Sequence, residues 1–227
     1  MTVLAACKSA APRLLGQRPQ TIFSASDTFE VELADLATET AIAIAKAHEW
    51  QKLKKLATLT GDGSTVAFDL PSDYDRMTRD GNVHSHLYQT ALFSRVDSLD
   101  EWVMIGDQLA VPSPGSWIIL GGQMQILPAM GNTETARFYY ITNQIVSGSK
   151  KAFSADADEF LLPERLVTLG LIWRWRAQKR MEYSEDLQNY EIALSEEISR
   201  DKGARILSVG TRRYPGNLHT PYPGVLG

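Results

Sequence analysis

Residues 153–200 decide the fold, and they read FSADADEFLLPERLVTLGLIWRWRAQKRMEYSEDLQNYEIALSEEISR. Pro163 suits the first turn of a helix, where its missing N–H would have no partner. The segment Arg180–Tyr183 predicts a short break, followed by a second helix. The stretch has clear helical patterning but no catalytic motif, which indicates a part in assembly rather than in catalysis.

Each of the two predicted helices has one apolar face. Side chains three or four residues apart lie on the same side of a helix. The first helix carries Leu162, Leu166, Leu169 and Trp173 on one face, and the second carries Tyr183, Leu187, Tyr190, Leu194 and Ile198. We therefore expect both helices to bury that face.

Within the first helix, residues 173–176 read WRWR. Trp173 and Trp175 lie about 200° apart around a helix, so both cannot face one core. The simpler interpretation is one buried and one half-exposed tryptophan. The alternative is that Trp175, with Arg174 beside it, packs on a neighbouring subunit, since Trp and Arg are typical interface anchors.

The N-terminal zone, residues 1–52, is also predicted to be helical. A short amphipathic helix opens it and places Cys7, the one cysteine, on an apolar face. Asp27 and Glu30 have capping-box spacing, with Asp27 as the N-cap. The stripe that follows consists of Phe29, Leu33, Leu36, Thr40, Ile44 and Ala47, and the helix ends near residues 48–50.

Residues 53–150 change to a β pattern. Residues 56–60 and 66–70 flank Gly61–Ser64, and residues 117–120 and 124–127 flank Gly121–Gln123, so both pairs are predicted to be hairpins. Residues 136–146 form a further β-branched and aromatic run. A second capping box, Ser98–Glu101, begins a short helix that ends near Ile105. The zone is predicted to be a small antiparallel sheet or sandwich carrying one helix.

The last 26 residues differ in composition from the rest of the chain. Residues 202–227, here called the arm, contain five glycines, three prolines, four cationic and no acidic residues. Because the whole chain has a net charge of −4, the arm carries +4 and the body, residues 1–201, carries −8. Fully extended, the arm could reach about 85 Å. A basic segment with scattered aromatic residues is typical of one that orders on a partner.

The predicted fold is therefore α+β. Helices of residues 1–52 and 151–201 pack into a bundle, residues 53–150 form an antiparallel β-rich insertion, and residues 202–227 extend as an arm. The pI of about 5.6 argues against a sequence-reading nucleic-acid binder. No apolar run is long enough to span a bilayer, so no membrane association is expected.

Candidate chemistry is sparse. His84 and His86 would share one face of a strand but have no third metal ligand nearby in the sequence. Asp156, Asp158 and Glu159 resemble the start of a calcium loop, yet the glycine and terminal glutamate of such a loop are missing. We expect acidic side chains here to favour the start of the helix at Pro163. No enzyme activity, metal or cofactor is predicted.

Four pieces of the chain resemble the head–tail adaptor, or connector, proteins of tailed bacteriophages and of phage-derived gene transfer agents. They are HEWQ at residues 48–51 with LATLT at 56–60, FDLPSDYDR at 68–76, FSADAD at 153–158 with LPE at 162–164 and LGLIWRW at 169–175, and YSEDL at 183–187 with YE at 190–191, AL at 193–194 and RDKG at 200–203. The LGLIWRW piece is the most specific. The likeness spans residues 3–203.

The resemblance implies a non-enzymatic, dodecameric ring bound beneath the portal protein at the neck of the virion and made in the host cytoplasm. Such a ring extends the DNA channel, without sequence-specific DNA binding, and docks tail or stopper proteins. We expect contacts with the portal or an adjacent subunit at Arg205, Arg212, Arg213, Tyr214 and Tyr222 of the arm, and at Arg174 and Trp175.

Two other functions stay open on the sequence. A carbohydrate- or receptor-binding virion module would use exposed aromatic residues of the β zone, namely Trp102, Trp117, Tyr139 and Tyr140. A hydrolase would assemble its site around His84 or His86.

Overall fold

The computed structural model describes residues 2–79, 81–87, 92–107 and 114–201 of the chain. These residues form five α-helices and eight strands, which confirms the α+β class. The bounds are α1 Val3–Leu14, α2 Thr28–Ala47, β1 Lys54–Thr60, β2 Ala67–Asp69, β3 Tyr74–Met77, β4 Val83–Ser85, β5 Leu92–Arg95, α3 Leu99–Asp107, β6 Ser116–Leu120, β7 Gln123–Leu127, β8 Thr135–Thr142, α4 Glu164–Gln178 and α5 Ser184–Asp201.

The described residues divide into two compact units. Unit 1 contains residues 2–58, 69–79, 81 and 138–201, and unit 2 contains residues 59–68, 82–87, 92–107 and 114–137. The boundaries expected from the sequence, at 52/53 and 150/151, both fall inside unit 1. Unit 1 therefore contains β3, parts of β1 and β8 and the last residue of β2, in addition to α1, α2, α4 and α5.

Helix α4 is the centre of unit 1. It packs against α1, α2 and α5, so helices from both ends of the chain share one hydrophobic core. The predicted break between α4 and α5 is confirmed, and Arg180 has a positive φ of 55° there. Gly170 permits the tight packing, because a Cβ at this position would lie only 2.3 Å from Cγ2 of Thr40 on α2.

Helix α2 begins and ends where its sequence signals predict. Asp27 occupies the N-cap position, although its side chain makes no capping hydrogen bond. Of the predicted apolar stripe, Phe29, Leu33, Thr40 and Ile44 are buried. Leu36 is half-buried, and Ala47, the last residue of the helix, is exposed.

In unit 2, the hairpin predicted for residues 117–127 is confirmed. β6 and β7 pair in antiparallel fashion, with Leu120 opposite Gln123. The turn residues Gly121 and Gly122 have φ values of 59° and 82°, a conformation that glycine adopts without strain.

The prediction of a wholly antiparallel region is wrong, because β5 and β6 pair in parallel. Parallel neighbours need a crossover connection, and α3 lies between these two strands in the chain. Its buried residues Trp102 and Ile105 join Val96 and Ile118 in a small core. The helix predicted from the Ser98 capping box is therefore the crossover of a β–α–β unit.

The hairpin predicted around Gly61–Ser64 is also wrong. β1 neighbours β8 in the sheet, whereas β2 neighbours β7. The N–H of Gly61 donates to the Glu134 carbonyl at 2.8 Å, and the N–H of Gly63 donates to the Met130 carbonyl at 3.0 Å. The turn is thus held by a distant part of the chain rather than by pairing of its own flanks.

Candidate interaction site

A groove rich in cationic side chains lies in unit 1 where α2 ends and β1 begins. This basic groove has a volume of about 450 Å³. It is lined by Lys46, Ala47, His48, Glu49, Gln51, Lys54, Arg76 and Arg79. Four of these side chains are Lys or Arg and one is a carboxylate, so the groove is locally positive on a body that is acidic overall.

Arg76 builds the wall of the basic groove. Its guanidinium donates a hydrogen bond to the His48 carbonyl at 3.2 Å and lies 3.5 Å from the Ala45 carbonyl. These carbonyls end α2 and have no partner inside the helix. Asp75 pairs with Arg76 at 2.6 Å, so this cation is structural and partly neutralised.

The end of α5 is fixed at the rim of the same groove. A carboxylate oxygen of Asp201 accepts a hydrogen bond from the Gln51 N–H at 3.0 Å and lies 3.3 Å from Nε2 of His48. Asp201 is the last residue before the arm. The arm residues Arg205, Arg212, Arg213, Tyr214 and Tyr222 lie outside the described residues.

An apolar cleft of about 210 Å³ adjoins the basic groove and shares Lys46 and Arg76 with it. Its other lining residues are Ile42, Ala45, Asp75, Ile141, Thr142, Asn143, Ile145 and Lys151. An apolar depression beside a positive groove fits a partner surface that is both acidic and apolar.

The WRWR motif is arranged as one buried and one half-buried tryptophan, but in the opposite order to that expected. Trp175 is only 4% exposed and makes an edge-to-face contact with Phe29 at 5.9 Å between ring centroids. Trp173 is half-buried and packs against Tyr183 and Tyr190. The simpler interpretation, one buried and one half-exposed tryptophan, is therefore confirmed, and a contact of Arg174 and Trp175 with a neighbouring subunit stays a prediction.

The arginines of this motif are occupied within their own subunit. Arg174 lies over the Trp173 ring at 4.9 Å and forms an ion pair with Glu39 of α2. Arg176 pairs with Asp186 of α5. The motif therefore fastens α4 to its neighbouring helices.

The acidic cluster at residues 156–159 holds loops together rather than favouring the start of α4. Asp156 accepts hydrogen bonds from the N–H groups of Ile22 and Phe23, at 2.9 and 3.1 Å. Asp158 accepts from the N–H groups of Ser154 and Ala155 at 2.7 and 3.0 Å. Burial would raise the pKa of Asp158, but the hydrogen bonds from Lys150 and the two N–H groups lower that pKa to about 2.

Asp73, the aspartate of the LPSDY turn, is a buried carboxylate that the sequence did not mark as a site. It accepts hydrogen bonds from the hydroxyls of Tyr140 and Thr142, both at 2.8 Å, and pairs with Lys55. Burial would raise the pKa of Asp73, but these three partners lower it to about 2. Burial and the adjoining Asp73 together raise the pKa of Tyr140 to about 12.

The residues proposed for a sugar-binding surface do not form one. Trp102, Trp117 and Tyr140 are each less than 10% exposed, and only Tyr139, at 54%, presents its ring to solvent. Stacking on a sugar requires exposed ring faces. Three of the four aromatic residues expected to bind a sugar are therefore buried, and the carbohydrate-binding alternative has no support from them.

His84, His86 and Cys7 have ordinary surroundings. His84 is exposed on β4, and Nδ1 of His86 accepts a hydrogen bond from the Thr135 N–H at 2.9 Å. Within the described ranges, no group of three or more His, Cys, Asp or Glu side chains is placed to hold a metal ion. Cys7 is buried, and this burial, with a smaller effect of Asp156 and Glu164, raises its pKa to about 12.

No helix among the residues that the structure describes is long and apolar enough to cross a membrane. No curated protein matches the chain. The model of one family, described as the SU10 adaptor protein, matches residues 1–219, which includes most of the arm. The chain therefore belongs to the SU10 adaptor protein family, a family of phage head–tail adaptors.

Proposed function

We propose that this protein is a structural virion component that forms a dodecameric ring at the neck of the particle. The ring attaches beneath the portal protein, extends the DNA channel and docks tail or stopper proteins. The observation that carries this proposal is the family match over residues 1–219. The helices of unit 1 act in it as the bundle from which the arm extends.

The division of charge supports a channel role. The body carries −8 and the arm +4. Fixed negative charge on a channel wall prevents the phosphate backbone from sticking, so DNA slides past without sequence-specific contacts. The cationic charge of the arm is then free for a protein partner.

The position of the last described residue supports a contact outside the arm's own subunit. Asp201 lies at the rim of the basic groove, where Lys46, Lys54 and Arg79 repel a segment of charge +4. The arm therefore reaches the portal or an adjacent subunit through Arg205, Arg212, Arg213, Tyr214 and Tyr222.

Removal of the gene from a phage tests the adaptor function. We expect heads that package DNA but carry no tails and leak their DNA, and the full-length chain supplied in trans should restore tailed particles. Electron microscopy of purified particles measures both. Tailed, infectious particles in the absence of the protein would contradict the function.

Deletion of Gly203–Gly227 tests the arm. We expect the truncated chain to keep its helical circular dichroism but to fail to load onto portals in co-sedimentation. The matched control, Arg212→Lys with Arg213→Lys, keeps the charge and should load normally. Truncated chains that load as well as the wild type would overturn the assignment of the arm.

A further inference from the structure

The outer face of α5 is acidic around one exposed apolar residue. Tyr190 and Ala193 are buried on its inner side, towards α4. Glu185, Ile192 and Glu196 follow each other at intervals of seven and four residues, so they share the opposite, outer face. Ile192 is 51% exposed.

The two glutamates of that outer face differ from other acidic residues of α5 in having no charged partner among the described residues. Asp186 pairs with Arg176, and Glu197 pairs with Arg200 at 2.8 Å. The carboxylates of Glu185 and Glu196, in contrast, make no ion pair or hydrogen bond with any described residue. They are therefore available to a cationic partner.

The basic groove and the apolar cleft have the complementary character. The ammonium groups of Lys46 and Lys54 and the guanidinium of Arg79 have no carboxylate partner among the described residues. The adjoining cleft is lined by Ile42 and Ile141, among other apolar residues. Unpaired cations of the basic groove thus lie beside the apolar cleft. On α5 the pattern is complementary, because unpaired carboxylates lie beside the apolar side chain of Ile192.

We propose that the outer face of α5 in one copy docks into the basic groove and apolar cleft of the next copy. Ile192 enters the cleft, and Glu185 and Glu196 face the cations of the groove. The inference rests on the proposed ring, for which it names the subunit contact.

The partner is a second copy, because the outer face of α5 cannot reach the basic groove of its own chain. Its inner face is packed on α4, so the helix would have to leave the core of unit 1 to do so. Contacts between two different patches of one chain are heterologous, and they close into a ring when the rotation between copies permits. Opposite charges set the register and the rate of such an association.

Charge reversal in the full-length chain tests this pairing. The groove variant is Lys54→Glu with Arg79→Glu, and the helix variant is Glu185→Lys with Glu196→Lys. Each should weaken self-association at least about tenfold in sedimentation velocity, because like charges then meet. The variant with all four changes should recover most of the loss. The control for the groove variant, Arg18→Glu with Arg165→Glu, makes the same change in net charge at exposed positions elsewhere in unit 1 and should associate as the wild type does.

A disulfide experiment gives an independent measurement. Because Cys7 is buried, cysteines introduced by Ile42→Cys and Ile192→Cys are the accessible ones. Oxidation of the double variant should yield a ladder beyond the dimer, and each single variant should stay monomeric on a non-reducing gel, because position 42 faces position 192 of the next copy and not itself.

The outcomes separate the pairing from the ring. If the groove and helix variants associate as tightly as the wild type and no ladder forms, the pairing is overturned while the ring stands. If the wild-type chain fails to self-associate both alone and on portals, the ring is wrong and the pairing falls with it.

Discussion

The two units of this protein expose different kinds of chemistry. Unit 1 gathers unpaired charges of opposite sign at the basic groove and on α5. Unit 2 exposes apolar side chains on α3, where Leu99, Val103 and Met104 are each close to 60% exposed. Contacts made by unit 1 should weaken with salt, whereas contacts made by the α3 face should not. The comparison shows that one chain can present a charged surface and an apolar surface, which suit different kinds of partner.

The two units also differ in how closely their helices are packed, and two helical glycines test this. Gly170→Ala in α4 would force a Cβ against Thr40, which we expect to cost about 1–3 kcal/mol. Gly106→Ala in α3 meets only Leu127 at 3.8 Å, so it should stabilise by about 0.5–1 kcal/mol. Urea denaturation followed by circular dichroism measures both. Equal changes in the free energy of unfolding for the two variants would show that the helices of the two units are packed equally closely.

The buried carboxylates of unit 1 give it an acid-sensitive stability. The pKa values of Asp73 and Asp158 are lowered to about 2, so each carboxylate stabilises the fold above its unfolded pKa near 4. This contribution, about 1–2 kcal/mol each at neutral pH, is lost as the pH falls from about 4 to 2.

Asp73→Asn and Asp158→Asn should remove that contribution and flatten the dependence of stability on pH below 4. Thermal unfolding between pH 2 and 7 measures the slope. Variants that lose stability below pH 4 as steeply as the wild type would show that these carboxylates do not carry it.

The smallest effect is expected on the α3 surface of unit 2. Val103→Ser should change the free energy of unfolding by less than about 0.5 kcal/mol, because Val103 is 61% exposed. Ile105→Ser on the same helix removes a side chain that is 9% exposed and should cost several times more. Similar losses for both would mean that the α3 face is covered in the folded chain.

Local signals in the sequence predicted local structure well. The Gly-Gly turn between β6 and β7, the Ser98 helix start and the break between α4 and α5 depend on neighbouring residues only. The turn at Gly61 failed, because its N–H groups bond to Glu134 and Met130, which are some 70 residues away in the chain. Hydrogen-bond partners so distant in the chain cannot be predicted from a short stretch of sequence.

The interaction site was predicted less well than the fold. Helical periodicity placed Trp173 and Trp175 on opposite faces but could not choose the buried one, because α4 has neighbours on several sides. The basic groove joins the end of α2 to β3, so its cations are scattered over residues 46–79. Asp73 lay in a motif that resembled the adaptor family, and only its partners Lys55, Tyr140 and Thr142 explain why an aspartate is needed there.

The most direct test of the adaptor ring is electron microscopy of purified portal protein incubated with the full-length chain. We predict a closed ring of copies attached to one end of the portal, with its opening continuous with the portal channel. Portals that stay bare, or that carry isolated copies rather than a ring, would contradict the account.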